Sequence, residues 1–282
     1  MSLYELRDPG DLEAPLLVAS FDGWVDAGAA ATVAAAHLAA EAAPIAVFDA
    51  DRLYDYRARR PTLEIADGRP DRLTWPELAV RRTRLGGRDL LVLAGPEPDY
   101  RWRELEAAVV DLGQRLGVVE WISLGAIPAA VPHTRPVTVL GTESRPGLLR
   151  GGVGPGPDGV LRVPAAAISV LDLAVAASGI PAVGYYAQVP HYVTGGYPPA
   201  SVELLRLVGQ HVGEEIAAGE LRDEARLMLA RLDAATAGDA NTRAYVERLE
   251  AMVDEARRPE GGDLITEIEQ FLREQGRDGG RG

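Results

Sequence analysis

The sequence predicts an α/β protein, a mostly parallel mixed sheet covered by helices, with a helical region after it. Two observations carry this. The apolar run Leu16-Leu17-Val18-Ala19 is short and is closed by the turn residues Ser20-Phe21-Asp22-Gly23-Trp24-Val25-Asp26, after which an Ala-rich stretch opens; this reads as a buried parallel strand feeding a helix. Farther on, Asp89-Leu90-Leu91-Val92-Leu93-Ala94-Gly95 and Val118-Val119-Glu120-Trp121-Ile122-Ser123-Leu124 bracket a helical pattern from Tyr100 to Leu116, with Leu105, Val109, Leu112 and Leu116 on one face. Strand, helix and strand with a right-handed crossover form the expected parallel unit.

The remaining elements follow in order. The helix after the first turn, through about Ala40, presents Ala, Val33 and Leu38, small enough to lie close to a sheet. His37 on it reads as a partly buried helix histidine with one local hydrogen bond, the other reading being a ligand. Pro44 to Ala50 is a strand ending in acid, and residues 51–87 alternate Arg, Pro and acids with short apolar pieces, the pattern of antiparallel excursions. A polar loop at residues 132–136 leads into the strand Val137-Thr138-Val139-Leu140-Gly141. The run Gly151 to Gly159 lacks the Lys-Ser/Thr ending of a nucleotide loop, and its prolines remove amide donors, so it is expected to be a turn between strands. Ala165 to Ser178 reads as a helix and Ala182 to Tyr186 as the last core strand, opening into residues 188–197.

From Pro198 the alternation stops and helical spacing takes over: Leu205, Val208, Val212 and Ile216; Leu221, Ala225, Met228 and Leu232; Tyr245, Leu249, Met252 and Ala256; then Leu264, Ile268 and Phe271 behind an Asp263 cap. The expected division is a core over residues 1–200, a helical extension over 201–275 and a disordered Gly- and Arg-rich tail over 276–282. The extension's apolar stripes pack on the core or bind a partner.

Composition narrows the function. Of 282 residues, 47% are hydrophobic and 25% charged, with no Cys, which excludes disulfides, thiolate zinc sites and thiol catalysis. The acidic start and the lack of a long apolar window predict neither an export signal nor a membrane span, and a cytoplasmic location. A net charge of −13, with Arg as every basic residue outside the histidines, makes nucleic acid an unexpected partner.

In open α/β sheets ligands collect outside the carboxyl ends of the strands, and candidate residues gather there. Asp22 can orient a ligand hydroxyl or act as a base, or close an Asx turn onto Gly23. Asp26 is placed to cap the following helix. Trp24 covers the core edge, or forms a stacking wall or subunit contact. His133, Arg135, Gln188, His191 and Tyr192 lie on loops or strand ends that could reach the same rim; Arg135 suits a carboxylate or phosphate, and Gln188, His191 and Tyr192 suit a polar small molecule or a subunit contact. No metal-ligand spacing and no Gly-x-Ser-x-Gly elbow occurs, so neither a metal, nor a cofactor, nor a catalytic triad is assigned.

Phe21-Asp22-Gly23-Trp24-Val25-Asp26-Ala27-Gly28, Pro132-His133-Thr134-Arg135-Pro136 and Gly184-Tyr185-Tyr186-Ala187-Gln188-Val189-Pro190-His191-Tyr192 resemble, in order, three blocks of the proteasome assembly chaperone 2 (PAC2) family, in its actinobacterial branch. The resemblance implies a three-layer α/β/α core of the phosphorylase/hydrolase-like kind, homo-oligomers, and no catalytic apparatus. It also implies a non-catalytic binding or assembly role with a proteasome-related partner. Family members that chaperone proteasomes end in a hydrophobic residue, Tyr and one final residue; this chain ends Gly279-Gly280-Arg281-Gly282, so docking by that route is not expected. The competing readings are a small-molecule hydrolase- or phosphorylase-like enzyme working at Asp22, and a protein that self-associates through its helical tail.

Overall fold

The computed structural model describes residues 2–256 apart from 40, 41 and 158. The expected last helix over Leu264, Ile268 and Phe271 and the tail beyond it lie outside the described residues.

Ten strands and seven helices alternate along them: β1 (Tyr4–Leu6), β2 (Leu16–Asp22), α1 (Ala30–Ala39), β3 (Pro44–Phe48), α2 (Ala50–Leu53), β4 (Thr62–Ala66), β5 (Arg69–Thr74), β6 (Ala79–Leu85), β7 (Arg88–Pro96), α3 (Trp102–Arg115), β8 (Glu120–Ala129), β9 (Val139–Glu143), α4 (Ala167–Ala177), β10 (Ala182–Pro190), α5 (Pro198–Val212), α6 (Gly219–Gly238) and α7 (Ala240–Ala256). Eight strands form one mixed sheet in the order β1-β3-β6-β7-β2-β8-β10-β9, and β4 and β5 form a separate hairpin. The four central strands are parallel, with β2 between β7 and β8 and β10 beyond β8. The flanking strands β6, β3, β1 and β9 run antiparallel to their inner neighbours, so residues 51–87 are indeed antiparallel excursions.

Successive side chains of a strand point to opposite faces, and the central strands are apolar on both. Leu16, Val18, Leu90, Val92, Ile122 and Leu124 join one core cluster with the Ala face of α1 and with α5. Leu17, Ala19, Leu91, Leu93 and Trp121 join a second with α3 and α4. The molecule is thus a three-layer α/β/α sandwich. Each fully buried Leu or Val contributes about 1.5–3 kcal/mol, so the sandwich is held chiefly by these two clusters. Helix α5, whose Leu204, Leu205 and Val208 are buried, lies on α1 within the first layer, and α6 packs outside it.

Two local expectations change. The Gly151 to Gly159 run does not join two strands but lies between β9 and α4, in a connection with no strand of its own among the described residues. His37 is exposed, and its Nε2 lies 2.9 Å from the carbonyl of Ala217, so its bond is long-range rather than local.

Candidate functional site

The shared direction of β2, β7, β8 and β10 brings their carboxyl ends to one edge of the sheet. The loops after β2, β8 and β10 therefore leave the same rim. Along it, the candidate residues fall into two groups.

The first is built on the end of β2. Gly23 turns the chain with φ +116°, a conformation glycine tolerates, and a Cβ there would stand 3.1 Å from Glu97 Oε2. The Asp22 carboxylate does not close an Asx turn onto Gly23. Its Oδ1 accepts from Arg59 Nη1 at 2.9 Å and from the amide of Glu97 at 3.1 Å. Arg59 also stands 3.6 Å from Asp99. Glu97 spans two elements, its Oε1 accepting from the amide of Ala167 at 2.7 Å and its Oε2 from that of Trp24 at 3.4 Å. Trp24 does not cover the core edge: it is 68% exposed. Asp26 caps α1, its Oδ1 accepting from the amide of Ala31 at 2.7 Å and its other oxygen from the Thr32 hydroxyl. Burial pushes its carboxyl up, against the Thr32 hydrogen bond that pulls it down.

The second group is built on the loops after β8 and β10 and is closed by α6 and α7. The His133 side chain is fully enclosed; its Nδ1 lies 2.8 Å from Tyr192 Oη and its Nε2 3.3 Å from Asp233 of α6. Tyr192 Oη accepts from the His133 amide at 2.8 Å and so donates to Nδ1, whereas Nε2, for all its nearness to Asp233, makes no hydrogen bond among the described residues. Arg135 forks onto Asp254 of α7, with Nε at 2.9 Å and Nη2 at 2.7 Å, and reaches Glu250 at 3.2 Å through Nη1. These carboxylates, Asp254 first, hold its guanidinium still further toward the charged form. Thr134 donates to Glu250 as well. His191 Nδ1 lies 3.0 Å from the Ala129 carbonyl and its Nε2 3.0 Å from Tyr245 Oη, with Tyr192 and Tyr245 edge-on to its ring. Gln188 belongs to β10 itself, paired with Ile127, and lines a narrow gap with Arg135, Tyr197 and Val253 under α7.

His133, Arg135, Gln188, His191 and Tyr192 are thus brought together, whereas Asp22, Gly23, Trp24 and Asp26 form a separate neighbourhood. The hydrogen bonds described for Asp22 and those described for His133 and His191 share no residue. Among the described residues, no three His, Asp or Glu side chains are arranged to hold a metal. No helix among them is long and apolar enough to cross a membrane.

Sequence reasoning missed the partners. Arg59 lies 37 residues from Asp22 and Asp254 lies 119 from Arg135, separations that no periodicity reports. It also missed two buried networks away from the rim. His211 Nε2 is 2.6 Å from Tyr185 Oη and its Nδ1 3.1 Å from Glu120. Asp172 accepts from Trp121 Nε1 at 2.7 Å and from the hydroxyls of Ser123 and Tyr186, both at 3.0 Å. The lone acid in the apolar α4 stretch was the available signal; His211, between Gln210 and Val212, offered none.

The sequence profile of the PAC2 family matches residues 20–236. No curated protein matches the chain. A Corynebacterium glutamicum protein of unknown function superposes with TM-score 0.84 at 31% identity, over 90% of this chain and 98% of that one. A proteasome-assembly chaperone homologue of Mycobacterium tuberculosis gives 0.75 at 35%, over 82% and 99%. A PAC2 family protein of Streptomyces avermitilis gives 0.72 at 34%, over 82% and 99%.

Proposed function

The chain belongs to the PAC2 family, and from that membership we propose that it is a cytoplasmic, self-associating, non-catalytic binding or assembly factor with a proteasome-related partner. One observation carries the reading. At the strand-end rim the charged candidates are engaged by their own chain, Asp22 by Arg59 and Arg135 by α7, while the large apolar Trp24 stands bare. An enzyme needs a reactive group free to reach a ligand; a protein-binding edge needs an exposed aromatic anchor. The rim fits the second requirement better. Away from the sheet, the β4–β5 hairpin offers further exposed apolar side chains, with Leu63, Ile65 and Leu73 about half exposed or more. The Mycobacterium tuberculosis homologue, a proteasome-assembly chaperone homologue by description, points to the class of partner.

The test is retention of proteasome core particles on the immobilised chain, with Trp24→Ala as comparison. Retention lost in the variant is the expected result. Equal recovery with both proteins removes Trp24 from the contact, and no recovery with either removes the proteasome from the reading.

A further inference from the structure

Residues 159–165, in the connection from β9 to α4, have the composition of a strand and none of its bonds. Val160 and Val163 flank Leu161 and Arg162, side chains that suit a pleated, half-buried surface. The whole stretch is exposed instead, Val160 by 83%, Leu161 by 63% and Val163 by 65%. No hydrogen bond joins any of these residues to another part of the chain among the described residues. Their amides and carbonyls are left to water, and three large apolar side chains stand in it beside them. Apolar side chains scattered singly over a surface need no explanation, but a contiguous set marks a contact.

The stretch is held at both ends. Before it, the Gly156 amide donates to the Gly141 carbonyl at 3.0 Å on β9, the strand that closes this side of the sheet. After it, Ala166 and Ala167 are buried, and the Ala167 amide donates to Glu97. A segment tethered at both ends has less freedom to lose on pairing than a free one. Pro157 and Pro164, which lack an N–H, close it off on either side, as prolines do on edge strands.

We propose that residues 159–165 are a docking strand for an extended, acidic peptide of a partner protein, which joins them by main-chain pairing. The proposal rests on the binding role inferred above and names what the partner presents. Two observations select the occupant. In a strand successive side chains alternate, which puts Leu161, Val163 and Ala165 on one face and Val160 and Arg162 on the other. A peptide that alternates apolar and polar residues matches that division. Charge decides what the polar residues are. Between Glu143 and Asp172 the chain carries Arg145, Arg150 and Arg162 against a single acid, Asp158, whereas the whole chain stands at −13. A positive stretch on an acidic protein favours an acidic peptide over a neutral or basic one, and an acid opposite Arg162 adds a cross-strand pair.

The experiment follows the fluorescence anisotropy of a labelled peptide, Glu-Ile-Glu-Val-Glu-Val with blocked ends, on adding the full chain, Val163→Pro or Arg162→Glu, with circular dichroism to check folding. Both positions are exposed and unbonded, so neither substitution disturbs the core. The expected result is saturable binding by the parent, about tenfold weaker in each variant, with a Lys-for-Glu peptide preferred by Arg162→Glu. Hydrogen exchange of the parent with the peptide present is expected to slow at residues 159–165. Equal binding by the parent and either variant, equal binding of the Glu and Lys peptides by the parent, or slowed exchange only elsewhere overturns the proposal. A parent that takes no peptide but still retains proteasome core particles overturns this proposal alone, and one that takes neither overturns both readings.

Discussion

Asp172 shows how one side chain can tie stability to pH. Burial lifts its carboxyl to about 6 from the ordinary 3.8, against the hydrogen bonds from Trp121, Ser123 and Tyr186 that pull it down. The folded chain therefore holds this proton more tightly than the unfolded chain does. The resulting stability is fully present below about pH 4 and is lost as pH rises through about 6, by on the order of 3 kcal/mol. Asparagine can still accept from Trp121 and donate to the hydroxyls, so Asp172→Asn is expected to flatten this part of a urea-unfolding profile. An unaltered slope between pH 4 and 6 would refute the assignment. Asp26 makes a second residue-scale case. Asp26→Ala removes the acceptor for the Ala31 and Thr32 amides and is expected to lower stability by about 1 kcal/mol, with Asp26→Asn keeping most of it, as read from denaturant midpoints.

Between elements, the turn after β2 and the start of α5 are locked together at Gly28. Its φ is +64°, its carbonyl accepts from the Tyr197 amide at 2.9 Å, and a Cβ there would sit 2.8 Å from Tyr197 Cβ. Gly28→Ala is expected to cost about 1–3 kcal/mol in equilibrium unfolding, from strain and the forced shift of Tyr197. Helix α7 is attached differently. Val246 and Leu249 are buried, but much of its grip is polar, through Tyr245, Glu250 and Asp254. Arg135→Met is expected to speed hydrogen exchange of α7 amides about tenfold while the strands of the sheet keep their protection. Unchanged α7 exchange would show that the apolar contacts suffice. The same contrast explains what could be read in advance. Long runs such as β2, β7 and α3 were legible because burial imposes a period on them. The three-residue β1 and four-residue α2 were not, because too few residues repeat for a period to appear.

At the scale of the molecule, acidity bears on self-association. Each copy carries a net charge of −13, so added salt screens the repulsion between copies and favours the self-association proposed above. Sedimentation is expected to show tighter association at about 0.5 M salt than at about 0.05 M, and the opposite trend would indicate an interface dominated by ion pairs.

The candidate rim was legible as a place. Parallel strands put their ends on one edge, and the short turns after them carry the polar residues. Its occupancy was not legible, since Arg59, Glu97 and α7 reach Asp22 and Arg135 from distant parts of the chain. Hydrophobic period and turn chemistry act between near neighbours, so the linear order of residues by itself determined the layered α/β architecture and the cap at Asp26. Tertiary folding alone decided that Asp22 is paired, that Trp24 is bare and that Asp172 turns to Trp121, Ser123 and Tyr186 on the sheet, because side-chain partners are chosen by proximity in space.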